Sequence, residues 1–156
     1  MKVELREPPV PPLGDTLEFL RLIWAVHHGL EKASKRLDVD VGITGPQRLV
    51  LRIVGRFPGL PAGQLAQILH VHPSTLTGVL KRLERRGLIE RRPDPRDARR
   101  ASLGLTARGR RLDVAAAGTV EAAVDQTLRA AGSEDVRAAA RVLRTLAETL
   151  GNLQKL

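Results

Sequence analysis

The chain has 156 residues, enough for one domain, and its 42% apolar content includes only 2% aromatics, so a core has to be built from Leu, Val, Ile and Ala. The absence of cysteine excludes disulfides, thiolate metal sites, iron–sulfur clusters and thiol redox chemistry. The formal charge of +9 is uneven: residues 81–100 hold nine Lys and Arg against four acids, whereas residues 121–156 hold five of each, and a local patch points to phosphate better than a general excess does.

In chain order, residues 1–14 hold four of the ten prolines and read as an extended arm. Leu17, Leu20, Ile23, Trp24, His27 and Leu30 then recur at spacings of three and four, which predicts an amphipathic helix over about 15–37, with Asp15 or Thr16 as its cap. Thr44-Gly45-Pro46 opens a second helix with Leu49, Val50, Ile53 and Val54 on its apolar face, and Phe57-Pro58-Gly59 ends it. Pro61 starts a short helix carrying Leu65, Ala66, Ile68 and Leu69, and Pro73 starts another with Leu76, Val79, Leu80 and Leu83 buried. Gly87 closes that helix in a left-handed conformation. Two short helices joined this tightly describe a helix-turn-helix. Residues 88–92 and 100–105 read as the strands of a β-hairpin wing, with a proline-broken turn at 93–99. An Ala-rich helix is expected from Thr106 to about Ala131, and Ser133 caps a last one. The expected fold is mainly α with a small β-hairpin wing: a winged helix-turn-helix over about 44–105, flanked by a helical dimerisation region at 15–37 and 106–153, within one domain spanning 15–156.

The helix that starts at Pro73 turns small polar and basic groups outward, which suits a major groove. Ser74 and Thr75 can bond bases or phosphates, and Thr77 adds a methyl for thymine. Gly78 allows close approach of the backbone, and Lys81 and Arg82 suit phosphates. At the wing, Arg96, Arg99 and Arg100 are candidates for the narrow minor groove, with Asp94 and Asp97 as braces that orient the guanidiniums. Double-stranded DNA is thus the expected partner.

The segments LAQILHVHPSTLTGVLKRLERRGLIERR, DPRDARR and LGLTARGRR together resemble the MarR family of winged helix-turn-helix regulators, over roughly residues 15–153. The resemblance implies a homodimer on a pseudo-palindromic operator, with the family's first, fifth and sixth helices intertwined and Arg99 entering the minor groove. It also implies a repressor released by a small aromatic or anionic effector. The absence of cysteine separates this chain from the family's peroxide-sensing branch in mechanism, and Gly78 stands where some relatives carry an arginine. Trp24, His27 and His28 have two readings: an edge of the family's ligand cleft, or packing within the core or the dimer interface.

His27 and His28 are adjacent, and His70 and His72 are two apart; neither pair has the i, i+4 spacing that chelates from one helix face. No metal site and no cofactor is expected, and a metal-responsive regulator is the weaker alternative. A phosphate loop, a dinucleotide fingerprint and a nucleophile elbow are all missing, so an enzyme is not expected. The remaining alternative is an architectural protein that coats DNA without sequence choice. With no secretory core and no apolar run near the ~18 residues of a bilayer span, a cytoplasmic protein without membrane contact is expected.

Overall fold

A computed structural model describes residues 11–94, 97–114 and 118–153, with the backbone alone for Asp94 and Asp97–Arg100. The expected arm at residues 1–10 lies outside the described residues. The elements in order are α1 (Gly14–Val41), α2 (Gly45–Arg56), α3 (Ala62–Leu69), α4 (Pro73–Arg85), β1 (Ile89–Asp94), β2 (Asp97–Leu105), α5 (Ala107–Leu112), α6 (Val120–Ala130) and α7 (Ser133–Leu153). This is the expected mainly helical fold with one antiparallel hairpin.

Helix starts follow from their capping chemistry. Thr44 and Gln47 form a reciprocal capping box at α2: the Gln47 N–H donates to Thr44 Oγ1 and the Thr44 N–H to Gln47 Oε1 at 3.2 Å. Thr106 Oγ1 accepts from the Gly109 N–H at 3.0 Å, capping α5, and donates to the Gly87 carbonyl at 2.6 Å, which ties that cap to the end of α4. At Gly87 (φ +64°) the chain turns left-handed, with Leu88 N–H bonding to the Leu83 carbonyl and Gly87 N–H to the Glu84 carbonyl: a Schellman end, as the sequence predicts.

One core joins the middle of the chain. Ile43, Val50, Leu51, Val54, Leu65, Leu76, Leu80, Leu83, Leu88, Ile89, Leu103 and Leu105 are all buried in it. Every buried residue among those described lies between Ile43 and Gly109. Alternation along β2 places Leu103 and Leu105 inward, as expected from the period of two.

Several expectations need correction. α1 runs four residues past Leu37 and begins without a side-chain cap, so neither Asp15 nor Thr16 serves there. On α2 the apolar face is centred on Val50, Leu51 and Val54, while Leu49 is half exposed, because the helix turns one side toward the core and the other to solvent. Pairing in the wing extends to Asp94 and Asp97 rather than stopping at 92 and 100. β1 has a partner strand on one side only, so Pro93 enters it as an edge-strand proline. The expected single helix from 106 to 131 is instead α5 and α6. Helix α5 ends at Leu112, Gly118 is left-handed (φ +78°), and Thr119 caps α6 by accepting from the Ala122 N–H. Ser133 is the first residue of α7 rather than a residue before it. No helix among the described residues is long and apolar enough to cross a membrane.

Candidate nucleic-acid interface

The turn between α3 and α4 sets how α4 is presented. His70 adopts a left-handed conformation (φ 51°), and the His70 and Val71 N–H groups bond to the Gln67 and Ala66 carbonyls, so α3 ends abruptly. His72 then caps α4: its Nδ1 accepts from the Ser74 N–H at 3.3 Å and lies 2.7 Å from the Ser74 hydroxyl. Histidine thus does what Ser, Thr or Asp does at most caps. Leu76, Leu80 and Leu83 fasten one side of α4 to the core, which leaves the other side facing water.

That outer side carries the residues singled out by sequence. Ser74, Thr75, Thr77, Lys81 and Arg82 are exposed, and Gly78 is half-buried. Thr77 Oγ1 donates to the Pro73 carbonyl at 2.8 Å, while Thr75 has no side-chain partner among the described residues. A Cβ at Gly78 would meet only Arg82 Nη2 at 3.8 Å; the space outside it is open.

The cations divide into two groups. Lys81, Arg82, Arg85 and Arg86 face solvent without a carboxylate partner among the described residues. By contrast Arg91 Nε pairs with Glu84 Oε1 at 2.5 Å, and Arg92 pairs with Glu90. Positive charge at the foot of the wing is therefore matched locally, whereas the charge on α4 is free to meet phosphate. Of the wing candidates, Arg96 lies outside the described residues; Asp97, Arg99 and Arg100 lie on β2 and Asp94 on β1 by their backbone.

Trp24, His27 and His28 are exposed on α1. Trp24 is 74% exposed, its ring centroid is 6.5 Å from that of His27, and His27 Nε2 is 3.6 Å from Glu31 Oε1. They line neither of two concavities on the surface, one between α1 and α7 at Phe19, Val142 and Leu146, the other between α1 and α4. Among the described residues, no three His, Asp or Glu gather closely enough to hold a metal ion.

Sequence reasoning missed a polar clasp behind the interface. Arg48 is 7% exposed; its Nε donates to Glu121 Oε1 at 2.7 Å, and its Nη1 and Nη2 donate to the Leu112 and Val114 carbonyls at 3.2 and 3.0 Å. Arg52 Nη1 adds bonds to Asp113 Oδ1 at 2.7 Å and to the Asp113 carbonyl at 3.1 Å. Together they hold the α5–α6 connection against α2. The available signal was Arg48 and Arg52 at i, i+4 beside the apolar face of α2. A second missed feature is a strap at the wing: the Gly59 N–H donates to the Leu103 carbonyl and the Leu103 N–H to the Leu60 carbonyl, so the α2–α3 connection pairs with β2.

Comparison with known proteins agrees with this geometry. The family model described as MarR family matches residues 41–100. The organic hydroperoxide resistance transcriptional regulator of Bacillus subtilis (strain 168) is 32% identical over 132 residues, which cover 83% of this chain and 86% of that protein. The HTH-type transcriptional regulator TtmR of Methylorubrum extorquens (strain PA1) is 36% identical over 90 residues, 58% of this chain, and the match spans only 46% of its length. Among solved structures, the S. aureus MepR–DNA complex has a TM-score of 0.66 at 27% identity, covering 87% of this chain and 98% of that one. The PcaV transcriptional regulator from Streptomyces coelicolor in complex with its natural ligand has a TM-score of 0.65 at 25% identity, covering 91% and 98%. The helix-turn-helix, the paired wing and these likenesses have one source: the chain belongs to the MarR family of transcriptional regulators.

Proposed function

We propose that this regulator binds double-stranded DNA in a sequence-specific way, as a homodimer on a pseudo-palindromic operator in the cytoplasm, and represses transcription until a small aromatic or anionic effector releases it. The observation that carries the DNA reading is the outer side of α4, where Thr75 and Gly78 stand beside Lys81 and Arg82, cations with no carboxylate partner among the described residues. Base edges would meet Ser74, Thr75 and Thr77, phosphates Lys81 and Arg82, and the minor groove Arg96, Arg99 and Arg100, braced by Asp94 and Asp97. The MepR relative was crystallised with DNA, which supports the same use of this fold here.

The dimer is supported by surface chemistry. α1, α6 and α7 contain no buried residue, yet Leu17, Leu20, Leu22, Val124, Leu143 and Leu150 are all at least 47% exposed. Apolar stripes on helices this long favour a partner. The winged helix-turn-helix then serves as the reading head, and the first and last helices as the dimerisation region. Effector control is supported by the ligand-bound PcaV relative, with Trp24, His27 and His28 as the cleft edge in the dimer. A thiol sensor is not proposed, since the chain has no cysteine.

The experiment is selection of bound sequences from random DNA, followed by salt-titrated binding to the selected and a scrambled duplex, with and without candidate aromatic acids. A preferred sequence with two related half-sites, ~34 Å apart, is expected. Equal affinity for both duplexes at physiological salt would favour the architectural alternative.

A further inference from the structure

We propose that the concavity between the last turns of α1 and α4 is a binding site for a small, multiply charged oxyanion of the phosphate type. It has a volume of about 280 Å³ and is lined by Asp38, Gln47, Arg82, Arg85 and Arg86. The three arginines fall at i, i+3 and i+4, so they share one flank of α4. None pairs with a carboxylate among the described residues; Arg85 Nε donates only to the Lys81 carbonyl at 3.3 Å. Asp38 is the one acid in the lining and forms no ion pair among the described residues, which leaves three guanidiniums facing a single carboxylate.

Gln47 is the second observation. The residue is 8% exposed, and its Oε1 is engaged by the Thr44 N–H at 3.2 Å. That bond fixes the amide group, and its N–H donors have no acceptor among the described residues while Gln47 lines the concavity. The residue is thus almost buried while its amide N–H groups remain open to solvent or a ligand at the concavity. The Arg86 guanidinium lies close over Gly42, where α1 ends in a left-handed turn: a Cβ there would stand 2.9 Å from Arg86 Nη1.

The lining also selects the ligand. Every lining side chain is polar or charged, which favours a charged, oxygen-rich ligand over an apolar one. The three guanidiniums and the Gln47 amide N–H groups supply many donors against the single Asp38 carboxylate, which matches an oxygen-rich anion with several acceptors. The site is thus distinct from a cleft edged by Trp24, His27 and His28. Arg82 belongs both to this lining and to the outer side of α4, so a bound anion would withdraw a phosphate contact; that consequence rests on the proposed DNA reading, whereas binding itself does not.

The test uses the full chain without DNA, at ionic strength held constant with chloride. Inorganic phosphate and pyrophosphate are titrated by calorimetry, with benzoate alongside, against the unaltered protein and an Arg85→Gln/Arg86→Gln variant. Expected is saturable pyrophosphate binding that weakens by roughly tenfold or more in the variant, with unfolding temperature unchanged and benzoate affinity, if any, unaffected. No saturation by roughly 10 mM, or equal affinity in the variant, overturns the proposal. If the variant loses DNA affinity while pyrophosphate never binds, the arginines serve the DNA backbone and the free-anion site is refuted. Pyrophosphate binding without any DNA binding supports this site and sinks the DNA reading alone.

Discussion

Arg48 Nε lies 2.7 Å from Glu121 Oε1, joining α2 of the helix-turn-helix lobe to the first turn of α6 across 73 positions of sequence. Its other nitrogens bond to the Leu112 and Val114 carbonyls, so one guanidinium satisfies the end of α5 and the connection after it. Replacing Arg48 by Leu would leave these acceptors unpaired. A loss of about 2–3 kcal/mol is expected, below the usual figure for a buried pair because Glu121 is one-third exposed. Glu121→Gln, which keeps an acceptor, should cost about 1 kcal/mol or less. Denaturant unfolding distinguishes the two; equal small losses would mean that the clasp is only a surface contact.

Two glycines mark approaches that no side chain permits. A Cβ at Gly109 would sit 2.0 Å from the Leu88 carbonyl oxygen, and one at Gly55 would sit 2.1 Å from Asp113 Oδ2. Each Gly→Ala change should destabilise by about 1–3 kcal/mol, with Gly109 the larger because backbone must move rather than a side chain. Thermal unfolding of the two variants reads this directly, and an unshifted midpoint for Gly109→Ala would contradict the packing of α5 on the β1 entry.

His70 is the one described non-glycine residue with positive φ, and it has no side-chain partner among the described residues. His70→Gly should stabilise by about 0.5 kcal/mol, the relief of left-handed strain less the added freedom of the unfolded chain. His70→Val should do the reverse by about 1 kcal/mol or more. If both variants match the parent in chemical denaturation, the turn is not held in this conformation.

On the proposed DNA reading, the side chains of α4 and the wing should separate by kind of effect. Thr75→Ala should alter sequence preference at about 1–3 kcal/mol for the base it meets. Lys81→Ala should weaken binding evenly across sequences and lower the salt slope by about 1. Arg99→Ala should weaken binding with little change in stability. Fluorescence anisotropy over a salt series measures all three; an unchanged Arg99→Ala would remove the wing from the mechanism.

Deleting residues 134–156 removes the apolar stripe of α7 without touching any buried residue among those described. The truncated chain should keep its helical lobe by circular dichroism yet sediment as a monomer. A dimer of undiminished affinity would locate the interface elsewhere.

Much of the architecture was legible in the sequence, because the signals were local. Thr44 and Pro46, Pro73, and Gly87 each dictate a helix end through groups a few residues away. The alternation of Leu103 and Leu105 fixed the inward face of β2. What escaped was long-range. The break between α5 and α6 is read poorly from an Ala-rich stretch whose composition favours helix throughout. It is held by Arg48 and Arg52, more than 60 residues earlier. The candidate site divides in the same way: the outer side of α4 follows from helical periodicity, whereas the pairing of Arg91 with Glu84 and Arg92 with Glu90 depends on how the wing folds against α4.

Among the described residues, the buried ones fall between Ile43 and Gly109, and this bears on how the molecule comes apart. The middle carries its own apolar interior, so its melting should answer to heat and denaturant alone. The outer helices have no such interior within one chain, and their order should also answer to how much protein is in the tube. Dilution would then loosen the two ends of the chain while leaving its centre intact, and amide exchange measured at two concentrations would reveal that division residue by residue.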